Sequence, residues 1–286
     1  MARTRLLHTG LAAGLAAGLL LAGAASAATT SAPLKDVHWS FQGPFGVYDQ
    51  EQLQRGYKVY REVCSACHSM DMVAFRNLGD PGGPFWNPKY PNPNDNPVVK
   101  TIASQYQIDD IDSSTGAPSK RPGTSADYFP APFPNDAAAK AANGGATPPD
   151  MSLLAKEFAG GPAFIYSVVT GDGTPTPAGL TVPAGKYYDP YVPGDVSSFY
   201  KGDPSKAPVG SFIAMPPPLV ANKVTFDDGT KATVDQEARD VAAFLAWASD
   251  PKMEQRKAAG LAVMIFLVVF AGLLYLSYRT IWRDSH

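Results

Sequence analysis

Cys64 and Cys67 are the only two cysteines of the 286-residue chain, and His68 follows them directly. The spacing Cys-x-x-Cys-His is typical of covalent haem attachment. Each thiol can add across one vinyl group of the porphyrin, and the histidine then reaches the iron from the proximal side. The motif therefore predicts one covalently bound haem c, held by Cys64, Cys67 and His68.

Other uses of a cysteine pair fit this chain less well. A structural zinc site takes four ligands, often from two pairs, and this chain has one pair. A thioredoxin-like dithiol begins a helix within a βαβ unit. Here the pair follows a helix-like run, and no alternating β/α pattern surrounds it. Inert buried cysteines would leave the adjacent His68 unexplained, so haem attachment is the preferred interpretation.

Few residues could bind the opposite face of the iron. Bis-histidine ligation would have to use His38, the only other histidine between the two hydrophobic ends of the chain. Met70 and Met72 are too close to His68 in sequence to reach the opposite face easily. Met253 lies at the start of the apolar C-terminal segment. Two further methionines are better candidates.

Met215 and Met151 are these candidates for the sixth ligand. Met215 lies in Ile213–Pro218, a loop stiffened by three prolines, which has little entropy to lose when a weak thioether ligand binds. Met151 follows two prolines and stays an alternative. A His/Met pair raises the reduction potential and fills both axial sites, which favours electron transfer over oxygen chemistry.

The first 27 residues are typical of a cleaved export signal. Two arginines precede an apolar run of Leu, Ala and Gly, and Ala25-Ser26-Ala27 fits the small-residue cleavage pattern. The mature chain would then begin near Ala28, outside the cytoplasm.

A second hydrophobic segment, residues 258–278, carries no charge over 21 positions. As a helix it would be about 31 Å long, which is enough to span a bilayer. Basic residues flank it on both sides, so export of the N-terminal part, rather than the positive-inside rule, orients it. We expect residues 28–250 to form a haem domain outside the cytoplasm. Residues 251–286 would be the membrane anchor with a short cytoplasmic tail.

The charge of the chain argues against nucleic acid as a partner. The net charge is −2, and setting aside the charged residues at the two ends leaves 20 basic and 25 acidic residues, a net charge of −5. Such a body suits a basic protein partner. An acidic run, Asp109, Asp110 and Asp112, could steer such a basic partner, or it could be an ordinary solvated loop.

The predicted fold class is mainly α with extensive Pro-rich loops. Of 27 prolines, 24 lie between Pro81 and Pro218, and this density excludes long helices and central strands. Frequent aromatic residues in the same region argue against disorder. We therefore expect ordered loops that wrap a large apolar object such as haem.

The regular elements can be predicted from periodicity and capping signals. Gly56 lies inside the first helix, where it indicates either close contact with another backbone or a tolerated small residue. The predicted elements are a helix from Asp49 through the cysteine motif, short helices at Asn135–Asn143, Asp150–Phe158 and Pro162–Thr170, a strand at Val224–Gly229, and a helix to Ser249 that starts from a capping box at Thr233–Gln236.

Several motifs along the chain together resemble one family, cytochrome c1, the haem subunit of the cytochrome bc1 complex, of the bacterial type. The similarity covers nearly all of the chain after the export signal. The motifs are Gln52–Gly56 leading to Val63–His68, Arg121–Gly123, Asp127–Pro130, Ala141–Ala146 with Pro148–Asp150, Ile213–Pro217, Phe244–Ala248, and a single C-terminal anchor.

This resemblance implies a class I c-type cytochrome-like haem domain with Met215 as the sixth ligand. It implies that the chain takes electrons from a Rieske iron–sulfur protein, passes them to a soluble or tethered cytochrome c, and assembles with cytochrome b. Enzyme activity, quinol–cytochrome c reduction, would belong to the complex, and the chain itself would be an electron carrier. The anchor would cross the bacterial inner membrane, with lipid around it and the haem domain in the periplasm.

Two segments depart from the family pattern. An arginine near the haem propionates is expected shortly after Pro148–Asp150, but the chain has Lys156-Glu157-Phe158, which leaves Lys156 or Arg121 as the propionate partner. Residues 196–212 look like an insertion, either a surface excursion or a contact to a neighbouring subunit.

Two other functions fit the same motif. A self-contained, membrane-tethered electron shuttle needs a flexible linker before the anchor, and the predicted helix ending at Ser249 leaves almost none. A haem-based gas sensor or peroxidase needs an open distal side, which a methionine ligand would close.

Overall fold

A computed structural model describes residues 30–171 and 173–283, so the predicted export signal lies outside the described residues. The fold is mainly helical with long loops. In chain order the elements are α1 (Gln50–Val59), which continues as a π-helical turn (Tyr60–Cys64), α2 (Pro97–Ser104), β1 (Gln107–Ile111), β2 (Pro118–Pro122), α3 (Asp136–Ala142), α4 (Leu154–Glu157), α5 (Pro162–Gly171), β3 (Tyr187–Asp189), β4 (Ser211–Ile213), α6 (Val234–Ser249) and α7 (Met253–Trp282).

Helix α1 begins directly after Asp49, close to its predicted start, and Asp49 caps it. The carboxylate of Asp49 accepts a hydrogen bond from the Gln52 amide at 3.1 Å, which satisfies a free N–H of the first turn. Leu53, Tyr57 and Tyr60 recur at helical spacing and are buried on one face of the helix. The helix then widens into the π-helical turn, where the Ser65 amide bonds the Tyr60 carbonyl. Such turns are rare and frequently mark functional sites.

The close contact predicted at Gly56 occurs where α1 crosses α6. A Cβ atom on Gly56 would overlap with the Asp240 carbonyl oxygen and lie 2.6 Å from Cβ of Phe244. Beside this crossing, Nε of Arg55 is 2.8 Å from the buried carboxylate of Asp240, and its Nη1 is 2.7 Å from Asp228. The absence of a side chain at Gly56 thus lets the two helices meet backbone to backbone.

Helix α6 is the most deeply buried helix, and its predicted capping box is only half formed. The Thr233 hydroxyl accepts from the Gln236 amide at 3.1 Å. The Gln236 side chain donates to Asp240 instead of reaching back to the cap. All residues from Val241 to Ser249 are buried, because α1, α4 and α5 pack around this helix.

One predicted element, the strand at Val224–Gly229, was wrong, and the helix predicted at Asp150–Phe158 was too long. No strand forms at Val224–Gly229 in the described chain. Val224 and Phe226 are buried in the core, while Asp227 and Asp228 bind Lys58 and Arg55 of α1, so the segment folds onto a helix rather than onto a strand. The helix predicted at Asp150–Phe158 spans only α4, since the Asp150 carboxylate accepts from the Ser152 amide and holds a turn there.

The Pro-rich region contains two small antiparallel sheets, β1–β2 and β3–β4. The segment 196–212 leads back into β4 and folds as a structured excursion of this chain. Its Val196 packs with Leu180 and Tyr188 in a second, smaller hydrophobic cluster, against which Tyr200 and Phe212 also pack. The register of β3–β4 pairs Tyr187 with Ile213, two residues before Met215.

Helix α7 is long and apolar enough to cross a membrane, and none of its apolar stretch is buried against the rest of the protein. Three residues separate it from α6. Its start is held by Tyr48, whose hydroxyl lies 3.2 Å from the Ala246 carbonyl and whose amide donates to Glu254 at 2.8 Å. Lys257 donates to the loop of residues 41–46. The helix thus leaves the domain from a fixed position and fits a membrane-anchored protein.

Candidate functional site

The predicted site residues meet in one cavity of about 320 Å³, a normal volume for a ligand pocket. Cys64, Cys67 and His68 line it on one side, and both candidate methionines, Met151 and Met215, also line it. The other histidine and methionines considered from the sequence do not contribute to its walls. The fold therefore brings together residues that are up to 151 positions apart in sequence.

The rest of the cavity wall is mainly apolar and comes from several parts of the chain. Helix α5 contributes Phe164, Ile165 and Val168, and α6 contributes Val241 and Leu245. The loop of residues 146–149 and the loop after β4 form much of the remaining wall, to which Leu154, Phe158 and Val192 also contribute. This lining fits a large apolar group, and it agrees with the prediction that proline-rich loops wrap one.

His68 is oriented by a single backbone contact. Its Nδ1 lies 2.9 Å from the Pro149 carbonyl oxygen. Because a carbonyl can only accept, Nδ1 carries the proton, and Nε2 keeps its lone pair for a metal ion. Burial lowers the pKa of His68 despite the opposing effects of Pro149 and Asp150, which favours the neutral imidazole. This is the form that ligates iron.

The loop that carries Pro149 is tied to the segment after His68. Ser69 Oγ donates to the Asp150 carboxylate at 2.7 Å, and the Asp71 amide donates to the same oxygen at 3.0 Å. The Met151 amide donates to the Ser69 carbonyl at 2.8 Å. Burial opposes ionisation of Asp150, but the hydrogen bonds that it accepts hold its pKa well below the usual range. These contacts fix the carbonyl that orients the histidine.

The two cysteines differ in their surroundings. Cys64 ends the π-helical turn and is half-buried, whereas Cys67 is exposed. Burial raises the pKa of the Cys64 thiol to about 12, and the positive charge of Lys223 offsets only part of this. The His68 amide donates to the Cys64 carbonyl at 2.9 Å, which joins both ends of the motif in one turn. The two sulfurs form no disulfide.

The structure distinguishes Met151 from Met215 by their packing. Met151 is 7% exposed and belongs to the main hydrophobic core. Met215 is half-exposed and belongs to neither hydrophobic cluster of the described chain. A side chain with few packing partners can turn towards a ligand at little cost, so Met215 is the better placed of the two.

Neither predicted propionate partner lies at the cavity. Arg121 makes a two-pronged contact with Asp127 at 2.6 and 2.8 Å, and its Nε is 2.8 Å from Asp110. Lys156 is 3.5 Å from Asp250, at the end of α6.

Lys223, whose charge acts on the Cys64 thiol, was not singled out from the sequence. It lies outside every motif named from the sequence, and only the tertiary fold brings it near the cysteine.

The acidic run is largely paired within the β1–β2 hairpin. Asp109 is 2.9 Å from Lys120, and Asp110 contacts Arg121 across the strands. Asp112 caps the turn by accepting from Ser114. Three acidic and two basic residues leave the hairpin with a net charge of −1, so its capacity to steer a basic partner is small.

The zinc interpretation finds no support within the described residues, because no group of three or more His, Cys, Asp and Glu side chains there could hold a metal ion. The site instead has one histidine, one cysteine pair and an apolar cavity. This donor set fits a covalently attached porphyrin with axial ligands from His and Met.

Comparison with known proteins agrees with this chemistry. A sequence model of the Cytochrome C1 family matches residues 39–285. The chain is 41% identical to cytochrome c1 of Rhodospirillum rubrum over 287 residues, covering 94% of this chain and 96% of that protein.

Two longer proteins are also similar. A Bradyrhizobium diazoefficiens protein named cytochrome b/c1 is 42% identical over 266 residues, which cover 87% of this chain and 35% of that protein. The mitochondrial cytochrome c1 haem protein of Saccharomyces cerevisiae is 42% identical over 229 residues, covering 80% of this chain and 65% of the yeast protein. The chain therefore spans only part of each of these two relatives.

Proposed function

Because the chain belongs to the cytochrome c1 family, we propose that its cavity holds haem c through thioether bonds to Cys64 and Cys67, with His68 and Met215 as axial ligands. The family carries a covalently attached haem c, and the chain is an electron-transfer haem protein of this family. The observation that carries the assignment of residues is the contact between His68 Nδ1 and the Pro149 carbonyl. It leaves Nε2 available inside a cavity that both cysteines and Met215 also line.

The residues of the chain would hold the haem and tune its reduction potential. When bound, the haem supplies a one-electron redox centre. Burial keeps His68 neutral, and the Pro149 carbonyl orients its ring. Val241 and Leu245 of α6 help to exclude water from the cavity. Met215 would supply the second protein ligand to the iron, and its thioether would raise the reduction potential. No side chain of the site is required to make or break a bond during electron transfer.

We infer that the chain is the haem subunit of a quinol–cytochrome c reductase. It would assemble with cytochrome b, accept electrons from a Rieske iron–sulfur protein and pass them to cytochrome c. Residues 28–250 would lie on the periplasmic side of a bacterial inner membrane. The names and the sequence identities of the relatives support this inference.

The contacts between the haem domain and α7 disfavour the alternative function, a shuttle whose haem domain moves freely on a membrane tether. A shuttle needs a flexible linker, whereas Tyr48 and Lys257 bond the haem domain directly to the first turns of α7. A fixed exit suits a subunit whose haem must stay at a set distance from its redox partners.

Purification in mild detergent tests the choice between subunit and shuttle. If the chain is a subunit, b-type haem absorbance and the electron paramagnetic resonance signal of a reduced iron–sulfur cluster should co-elute with its c-type haem. A c-type cytochrome that elutes alone under the same conditions would favour the shuttle. A washed membrane fraction with all three signals before extraction is the control for loss of subunits.

A further inference from the structure

A second cavity, of about 250 Å³, lies where the haem domain meets α7. The loop of residues 41–48 forms one wall, α4 and the start of α5 form another, and the junction of α6 and α7 forms the third. It shares no lining residue with the haem cavity. We refer to it below as the basal cleft.

The basal cleft carries more positive than negative charge. Its lining includes three basic residues, Lys156, Arg256 and Lys257, but one acidic residue, Asp250. The same Asp250 oxygen lies 3.5 Å from Lys156 Nζ and 2.5 Å from Arg256 Nη2, so one carboxylate serves two cations. These two side chains remain 56% and 64% exposed. Within the described residues, the hydrogen bonds of Lys257 go to two neutral carbonyls, those of Phe41 and Gly46.

The dipole of α7 does not favour these cations. The first turns of a helix favour negative groups, because the helix dipole is positive there. Arg256 and Lys257 lie in the first two turns of α7, which begins at Met253. Basic residues are also not favoured on the exported side of a membrane helix. An anion bound in the cleft would offset both effects.

The basal cleft lies at the level where the membrane begins. The charge-free part of α7 starts at Ala258, directly after Lys257. Lys257 Nζ holds the Gly46 carbonyl at 3.0 Å, so the neighbouring Phe45 lies near the same level. Phe45 is 76% exposed, and Val268 within the apolar span is 69% exposed. An aromatic ring this exposed on a loop beside a membrane helix suits the interface between headgroups and acyl chains.

We propose that the basal cleft binds the headgroup of an anionic phospholipid. The phosphate lies between Lys156 and Arg256, and Phe45 enters the boundary of the acyl chains. The charge excess selects an anion, and the position above the apolar span selects a lipid over a soluble anion. This inference rests on the proposed membrane anchor but not on the residues that bind the haem.

The test titrates the full-length holoprotein in nonionic detergent and counts bound ligand by native mass spectrometry. The probes are dioctanoyl-phosphatidylglycerol, dioctanoyl-phosphatidylcholine and inorganic phosphate. The test variant combines Lys156→Gln with Arg256→Gln. Its matched control combines Lys201→Gln with Lys206→Gln, which removes the same charge from exposed positions in the segment 196–212. A Phe45→Ser variant tests the apolar contact separately.

The wild type and the matched control should prefer phosphatidylglycerol to phosphatidylcholine. The test variant should bind phosphatidylglycerol about tenfold more weakly, because two basic residues near an anionic lipid have been lost. Phe45→Ser should weaken both lipids alike, and the haem spectrum should be the same in every variant. Retention of the protein in carbonate-washed membranes tests the proposed membrane anchor by itself. Failure of the anchor can therefore be distinguished from failure of the cleft to bind lipid.

Equal binding of the two lipids by the wild type would overturn the proposal, as would an equal loss in the matched control. Competition by inorganic phosphate at the same concentration as the lipid would make the cleft a general anion site, against the proposal. A lysine-directed crosslink from Lys156 to another subunit would make it a protein interface, which also contradicts the proposal.

Discussion

At the scale of single residues, the site depends on how each side chain is held rather than on which residues are present. His68 is oriented by a carbonyl that is 81 positions away in sequence. The motif predicts the histidine as a ligand, but only the fold reveals the Pro149 carbonyl that fixes its tautomer. The choice between the two methionines likewise rests on packing, since Met151 is a core residue and Met215 is not.

Replacing Met215 with Leu tests the assignment of the sixth ligand. The Met215→Leu protein should keep its covalent haem, because Cys64 and Cys67 are unchanged. Its reduction potential should fall markedly, since the thioether is what raises it, and the ferric protein should lose the weak long-wavelength band of methionine ligation. Redox titration and optical spectra measure both effects. Met151→Leu is the matched control and should affect stability more than potential, and the reverse pattern would exchange the roles of the two methionines.

Glu237 is a buried carboxyl that the haem site does not use. It is fully buried on α6, and neither oxygen makes a hydrogen bond of normal geometry within the described chain. Burial raises its pKa, and the Val224 amide and the Lys223 charge offset only part of this effect. Its ordinary pKa is 4.5. A raised pKa means that the folded protein prefers the protonated form.

Stability from a raised carboxyl pKa is present below the ordinary value and is lost as the pH rises through the folded value. Glu237→Gln should therefore leave stability at pH 4 nearly unchanged but increase it at pH 8 by about 1–3 kcal/mol. Thermal melting of the full-length protein in detergent at both values is the measurement. Glu157→Gln, at an exposed position, is the control. A Glu237→Gln protein that is less stable at pH 8 would mean that the carboxylate has a binding partner.

At the scale of elements, the crossing of α1 and α6 sets the geometry of the site. The π-helical turn at the end of α1 carries Cys64, and α6 supplies part of the cavity wall through Val241 and Leu245. Any change in the separation of these helices would move the thiols relative to that wall. The crossing has no room for a side chain at Gly56.

Gly56→Ala should therefore destabilise the protein by about 3 kcal/mol, because the added methyl group meets backbone that cannot move away without separating the helices. It should also lower the fraction of chain that acquires haem. Thermal melting and the ratio of haem to protein absorbance are the measurements. Gly260→Ala is the matched control, since Gly260 is also helical but has nothing within 4 Å of its added Cβ. Equal behaviour of the two variants would mean that the crossing tolerates a larger separation.

The observed elements also show which parts of the secondary structure could be predicted from the sequence. Helices with strong periodicity and a polar cap, α1 and α6, were predicted well, and α3 and α5 were close to their predicted bounds. Val224–Gly229 has the alternation of a strand, but it has no partner strand, because Asp227 and Asp228 are drawn to basic residues of α1. The ion pairs of Asp109 and Asp110 within the β1–β2 hairpin could not be predicted from the sequence either, since they depend on the register between two strands separated by a turn.

At the scale of the whole molecule, the haem domain and the membrane helix are joined without a flexible linker. Tyr48, Glu254 and Lys257 fix the start of α7 against the domain. With α7 as the proposed membrane anchor, the chain itself would set the position of the haem relative to the membrane, which suits exchange of electrons with fixed partners. The apolar span and the cysteine motif were both predictable from the sequence, but the contacts that link them were not.

The central claim is that Cys64 and Cys67 together bind one haem c covalently. Mass spectrometry of the tryptic peptide Glu62–Arg76, from protein made in a host with a c-type maturation system, tests it most directly. The account predicts this peptide with the mass of one haem added, while acidified acetone extracts no haem from the intact protein. Cys64→Ser and Cys67→Ser should each reduce the yield of the modified peptide. Haem that is fully extractable, or that is attached to a different peptide, would contradict the account.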